Sequence, residues 1–122
     1  MAPRATLGRL AREEDFRRVY RDGARRAARL IVLHALPTEV HTVRLGLAVG
    51  RRFGRAVARN RLRRRLREAV RASCDRIGAG VDLIVVPRAA AGTAEYADLR
   101  DEVTATLQAA GLFAGGAEGD RR

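Results

Sequence analysis

The sequence predicts a single α+β domain, a sandwich of helices packed on a small sheet, and three observations predict it. Apolar residues recur at helical spacing in three stretches: Arg12–Asp22, Gly54 to about Gly78, and Glu95–Ala110. They alternate or run together at strand spacing in three others: Leu30–Leu36, Val43–Gly50 and Asp82–Pro87. Glycine and proline punctuate the joins, and the resulting order of helix, strands, helix, strand, helix is that of helices laid on a sheet. A length of 122 residues suits one domain with a modest core, and 47% hydrophobic content with only 4% aromatic makes that core aliphatic.

Residues 1–11 read as a flexible basic arm, residues 12–111 as the folded domain, and the Gly-rich residues 112–122 as a disordered tail. Arg12–Asp22 forms a short helix that Gly23 ends. Phe16 and Tyr20 lie four residues apart on one face with Val19 beside them, and spacing alone makes the pair core. Leu30–Leu36 is a β-rich apolar run stopped by Pro37, and Thr38–His41 turns the chain. In Val43–Gly50, Leu45, Leu47 and Val49 point to the core, while Arg44, Gly46, Ala48 and Gly50 form a small, partly basic opposite face. Gly46 there marks either a close approach or a bulge. Asp82–Pro87 is a short buried strand. In the final helix Tyr96, Leu99, Val103, Leu107 and Ala110 make one stripe, and Gly111 caps it.

The chain is organised around Arg51–Arg71, which holds ten arginines and one acid, Glu68, for a net +9 of the formal +11. Ala58, Leu62, Leu66, Ala69 and Val70 form a narrow apolar stripe along it. Asn60, Arg64, Arg67 and Arg71 lie opposite, Arg59 and Arg63 on one shoulder, Arg61 and Arg65 on the other. A solvated charged face normally mixes signs. This one does not, and like charges at i,i+4 weaken an isolated helix, so the pattern predicts a phosphate-rich partner.

Other chemistry is sparse. All 25 basic residues are arginine, which offers planar bidentate contacts to phosphate. A pI near 11.6 without a long apolar span points to nucleic acid rather than a membrane. The single cysteine, Cys74, excludes an internal disulfide and fits a reducing cytoplasm. His34 lies in a strand and His41 in a turn, Asp82 ends a turn, and Glu95, Asp98, Asp101 and Glu102 form a solvated helix face. No metal-ligand spacing or nucleophile motif occurs, so the sequence predicts no metal site and no catalysis by the polypeptide itself.

Residues Gly54–Glu68, GRAVARNRLRRRLRE, resemble the RNR signature of the bacterial ribonuclease P protein family. The likeness extends outward to Glu14-Asp15-Phe16, Val19-Tyr20 and Gly23, to Leu45–Val49 followed by Arg51-Arg52, and to Asp82–Val86 through Arg88. Together these cover roughly residues 12–110 in order. The resemblance implies an αβββαβα domain with a left-handed βαβ crossover. It also implies partnership with a catalytic RNA that removes the 5′ leader of precursor tRNA, an endoribonuclease whose chemistry is RNA-borne and whose Mg²⁺ is held mainly by RNA and substrate. The protein would broaden the substrate range and lower the Mg²⁺ demand, without an obligate protein partner.

By position, Arg51, Arg52, Arg55, Arg59, Asn60, Arg61, Arg63, Arg64 and Arg67 would bind RNA. Phe16, Tyr20, His34, Gly50 and Arg88 would line a cleft for the single-stranded leader, against the core reading of the aromatic pair. Two cleft residues depart from the family pattern: His34 stands where relatives can carry an aromatic leader contact, and Gly50 where they often carry serine. The competing expectation is a plain RNA-binding protein of ribosomal or chaperone type, which the charge fits almost as well. A helix-turn-helix DNA-binding protein lacks its paired short helices here.

Overall fold

The computed structural model describes residues 7–78 and 80–114. The chain runs β1 (Leu7–Arg9), α1 (Glu13–Asp22), β2 (Ala24–Ala27), β3 (Ile31–Pro37), β4 (Val43–Leu47), α2 (Ala56–Cys74), β5 (Val81–Pro87) and α3 (Tyr96–Ala109). Short 3-10 turns at Arg51–Phe53 and Ala89–Thr93 lead into α2 and α3. The α+β class holds, and the αβββαβα order appears with one further strand ahead of it.

The strands form one mixed sheet in the order β1-β4-β5-β3-β2. β4 and β5 pair in parallel across the α2 crossover, the unit for which the family resemblance implies a left-handed turn. β1 adds in parallel at one edge, while β2 and β3 meander antiparallel on the other side of β5. Because alternate side chains leave opposite faces of a strand, the sheet divides two cores. Leu33, Ala35, Val43, Leu45, Leu83 and Val85 pack with Leu62, Leu66, Val70, Leu99, Val103 and Leu107 of α2 and α3. On the other face Ile84, Leu36, Ala48 and Val86 meet Leu10, Phe16 and Val19 around α1. Central β5 is therefore covered on both sides and reads as an unbroken apolar run, Asp82 excepted.

The alternation expected in Val43–Gly50 is observed, with Leu45 and Val49 buried in the larger core and Leu47 packed against it. Gly46 marks a close approach: a Cβ there would sit 2.5 Å from Cζ of Phe16. The expected α2 stripe is buried at Leu62, Leu66, Ala69 and Val70, but Ala58, in the first turn of α2, is exposed. Gly54 takes φ 107°, a left-handed conformation that only glycine adopts without strain, and turns the chain into α2. At the end of α3, Gly111 has φ 77° and Leu112 N donates to Leu107 O at 3.2 Å, the bond that closes a Schellman cap.

Both expected boundaries need correction. The arm expected over residues 1–11 is shorter, since Leu7–Arg9 is a strand and Leu10 is buried on the α1 side; residues 1–6 lie outside the described residues. The tail expected over residues 112–122 begins later, since Phe113 is buried, bridges Ile77 and carries Arg76 over its ring at 4.2 Å; residues 115–122 lie outside the described residues. Single apolar residues such as Leu7, Leu10 and Phe113 make no periodic pattern, so their burial is invisible until partners far away in the chain are placed. β2 escaped the residue pattern for a related reason. Ala24–Ala27 is exposed throughout and is held as an edge strand by backbone pairing to β3.

Candidate RNA interface

α2 turns its apolar stripe onto the sheet and α3 and leaves its arginines outside. Arg51, Arg52, Arg55, Asn60, Arg61 and Arg64 are exposed, while Arg59, Arg63 and Arg67 are half-buried. Arg63 donates to Asn60 Oδ1 at 2.7 Å and lies 3.5 Å from the carbonyl of Val49, which holds that shoulder against the end of β4. On the opposite shoulder Arg65 donates to Ala94 O at 2.8 Å. Between that shoulder and the Ala89–Thr93 turn runs an open groove walled by Phe53, Val57, Arg61, Arg64, Gly92 and Thr93. Val57 is 81% exposed there, an apolar residue on a cationic surface. Glu68 is paired with Arg71 at 2.7 Å, so the exposed arginines earlier in the helix have no carboxylate neighbour on it.

The α1 face of the sheet forms a second groove. Phe16 and Tyr20 stand 6.4 Å apart between ring centroids, and the Tyr20 ring meets His34 edge-on at 4.8 Å. Phe16 is half-buried against Gly46, whereas Tyr20 is 44% exposed. The core reading thus suits Phe16 better than Tyr20. Farther along the same face Val32, Ala48, Gly50, Val86 and Arg88 line the groove with Arg25 and Arg52. Gly50 and Arg88 therefore share one groove wall, and Arg25, opposite His34 in the β2–β3 register, is a site residue that sequence reasoning missed. The signal for it would have been β2, which has no apolar alternation. Burial, reinforced by the Arg25 charge, holds His34 below the usual histidine pKa, and burial raises that of the Tyr20 phenol.

Asp82 does not end a turn. Its carboxylate is buried within β5, where Arg44 donates to both oxygens at 2.8 and 2.7 Å. Arg18 of α1 bridges Asp82 at 3.3 Å and Asp15 at 2.8 Å, closing a set of two carboxylates and two guanidiniums. Glu95, Asp98, Asp101 and His41 are exposed. Among the described residues no three or more His, Cys, Asp and Glu side chains gather as a metal site, and no helix is long and apolar enough to cross a membrane. Exposed guanidiniums suit anions, and exposed rings suit unpaired bases.

Comparison with known proteins identifies the family. The chain is 42% identical over 106 residues to the ribonuclease P protein component of Chloroflexus aurantiacus, covering 86% of this chain and 78% of that one. It is 34% identical over 107 residues to that of Clostridium novyi, covering 86% and 95%. Among solved structures, the RNase P protein of Staphylococcus aureus is similar with a TM-score of 0.79 at 29% identity, over 86% of this chain and 96% of that one. That of Thermotoga maritima gives 0.75 at 28% identity, over 81% and 94%. The family model described as Ribonuclease P matches residues 5–111, a span that takes in every helix and strand described above, and on that ground the chain belongs to the ribonuclease P protein family.

Proposed function

We propose that this chain performs its part in tRNA 5′ processing, as the protein component of the ribonucleoprotein endoribonuclease ribonuclease P, through two separate surfaces. The outward arginines of α2, with those of Arg51–Arg55, bind the RNase P RNA. The groove between α1 and the sheet takes the single-stranded 5′ leader of precursor tRNA, with unpaired bases against Tyr20, His34 and Phe16 and phosphates near Arg25 and Arg88. The observation that carries this reading is segregation of charge. Inner Arg18 and Arg44 are paired with Asp15 and Asp82, while Arg55, Arg61 and Arg64 of the α2 region are exposed and, among the described residues, in no ion pair, with Glu95 the one acid lining their groove.

Arginine forks grip phosphate without reading sequence, and unpaired bases stack on rings, so the two surfaces supply affinity for RNA backbone and for leader respectively. Cleavage belongs to the RNA, and Mg²⁺ is held there and on the substrate; the described residues offer it no ligand cluster. The work is done in a bacterial cytoplasm, where precursor tRNA is made, and needs no further protein. The alternative of a ribosomal or chaperone-type RNA binder falls with the family assignment.

The test is Arg61→Ala with Arg64→Ala. Both side chains are exposed and outside the apolar stripe, so circular dichroism should stay native-like. Affinity for RNase P RNA should fall, and the slope of log affinity against log salt should flatten by about 0.7–0.9 per lost phosphate contact. Unchanged affinity and slope would remove α2 from the interface.

A further inference from the structure

β1 places an arginine where the sequence pattern shows none. Arg9 pairs with Leu45 of β4, and neighbours in a parallel register point to the same face, so Arg9 lies on the side of the sheet that α2 covers. Arg63, Arg67 and Arg71 run along α2 at i,i+4 spacing, and the reach of Arg63 to Val49 O places that row toward the β4 edge, where β1 is added. Arg9 and Arg67 thus lie on the same side of the sheet, one on its edge strand and the other on the helix row nearest that edge. Burial lowers the pKa of half-buried Arg67, and the Arg9 charge lowers it more than that of either Arg71 or Arg63. Glu68 is the one acid that offsets this, and its carboxylate is engaged by Arg71.

The contrast with the opposite face is informative. Arg18 and Arg44 also converge, but Asp15 and Asp82 lie between them. Two guanidiniums brought together without an intervening carboxylate repel in the free protein, and a shared anion turns that repulsion into attraction. Each guanidinium presents a planar fork that matches phosphate oxygens. We propose that Arg9 of β1 and Arg67 of α2 together grip one backbone phosphate of the RNase P RNA, so that the interface continues from the helix onto the sheet edge. This rests on the reading that α2 faces the RNase P RNA.

The test uses Arg9→Gln, Arg67→Gln, the double variant and Arg9→Lys in the full chain, with purified RNase P RNA. Arg9→Gln should weaken RNA binding about 10–100-fold, as loss of one charge-assisted contact does, and flatten the salt slope by about 0.7–0.9. The double variant should lose little more than either single one, because both side chains serve one phosphate. Arg9→Lys should recover part of the affinity, since it restores the charge but not the fork. Free Arg9→Gln protein should melt no lower than the parent at low salt, since a repulsion has been removed. Native-like affinity and slope for Arg9→Gln, additive losses in the double variant, or a lowered melting temperature would each overturn the proposal. So would a loss confined to binding of precursor tRNA by the preformed holoenzyme, which would assign the phosphate to the substrate. Failure here with a clear loss in the Arg61, Arg64 variant would sink this contact alone; no loss in either would sink the wider α2 reading.

Discussion

Arg44 and Asp82 face each other across the parallel β4–β5 pair, joined by two hydrogen bonds of 2.8 and 2.7 Å, with the carboxylate 1% exposed. Through Arg18 and Asp15 the same charges reach α1, the helix that carries Phe16 and Tyr20. A buried ion pair adds little over a well-packed apolar pair, but removing one partner strands the other charge. The network therefore matters less as a source of stability than as a constraint on where α1 sits.

Asp82→Ala should accordingly destabilise the protein by about 1–3 kcal/mol, less than breaking a fully buried pair, because the Arg44 and Arg18 side chains left behind are 33% and 39% exposed. The double variant Asp82→Leu with Arg44→Met should recover much of that loss. Denaturant titration of the three proteins measures both effects. A double variant no more stable than Asp82→Ala would show that the charges do more than neutralise each other.

The aromatic pair should separate under mutation. Tyr20→Ala should weaken precursor tRNA binding by the holoenzyme by about 1–3 kcal/mol per lost stacking contact, with leaderless tRNA and the melting temperature nearly unchanged. Phe16→Ala should lower both precursor affinity and stability, because Phe16 also packs against Gly46 and the α1-side core. Gly46→Ala should cost about 1–3 kcal/mol, the range for overpacking, by displacing the Phe16 ring. Equal losses for both RNAs in Tyr20→Ala would return Tyr20 to a purely structural role.

His34 gives the stability a pH dependence of definite sign. Its pKa in the fold lies below the ordinary 6.5, first through burial and then through the Arg25 charge. The unfolded chain takes up the proton first as pH falls, so stability rises with pH across this window and declines as pH drops below the ordinary value toward the folded one. Melting temperatures from pH 8 to pH 5 should show the parent losing stability relative to His34→Gln over that range. Arg25→Gln should raise the His34 pKa in an NMR titration. Parallel melting curves for parent and His34→Gln would contradict this.

Catalysis should stay with the RNA. The protein alone should cleave no precursor, and adding it to the RNA should move activity to lower Mg²⁺, because its cations replace part of the metal that holds phosphates together. Converting His34 and His41 to glutamine should leave single-turnover cleavage at saturating substrate nearly unchanged. A large fall with assembly intact would place chemistry on the polypeptide.

Much of this protein is determined locally and was legible in the sequence. The spacing of Leu62, Leu66, Ala69 and Val70 determines which side of α2 is buried, and hence which arginines face out, because helical periodicity is a property of the chain itself. The alternation of β4 and the apolar run of β5 are likewise local, as is the RNR stretch by which the chain resembles its family. Other features needed partners distant in sequence. β1 and β2 carry little apolar pattern and exist as strands because β4 and β3 offer them unpaired backbone edges. Asp82 looked like a turn residue until Arg44 and Arg18 were placed beside it, 38 and 64 positions away in the chain. Arg25 reaches the groove on the α1 face, and Arg9 the side of the sheet that α2 covers, only through those strand pairings. Side-chain periodicity is written residue by residue, whereas backbone pairing and charge neutralisation are relations between segments, which only the tertiary structure brings together.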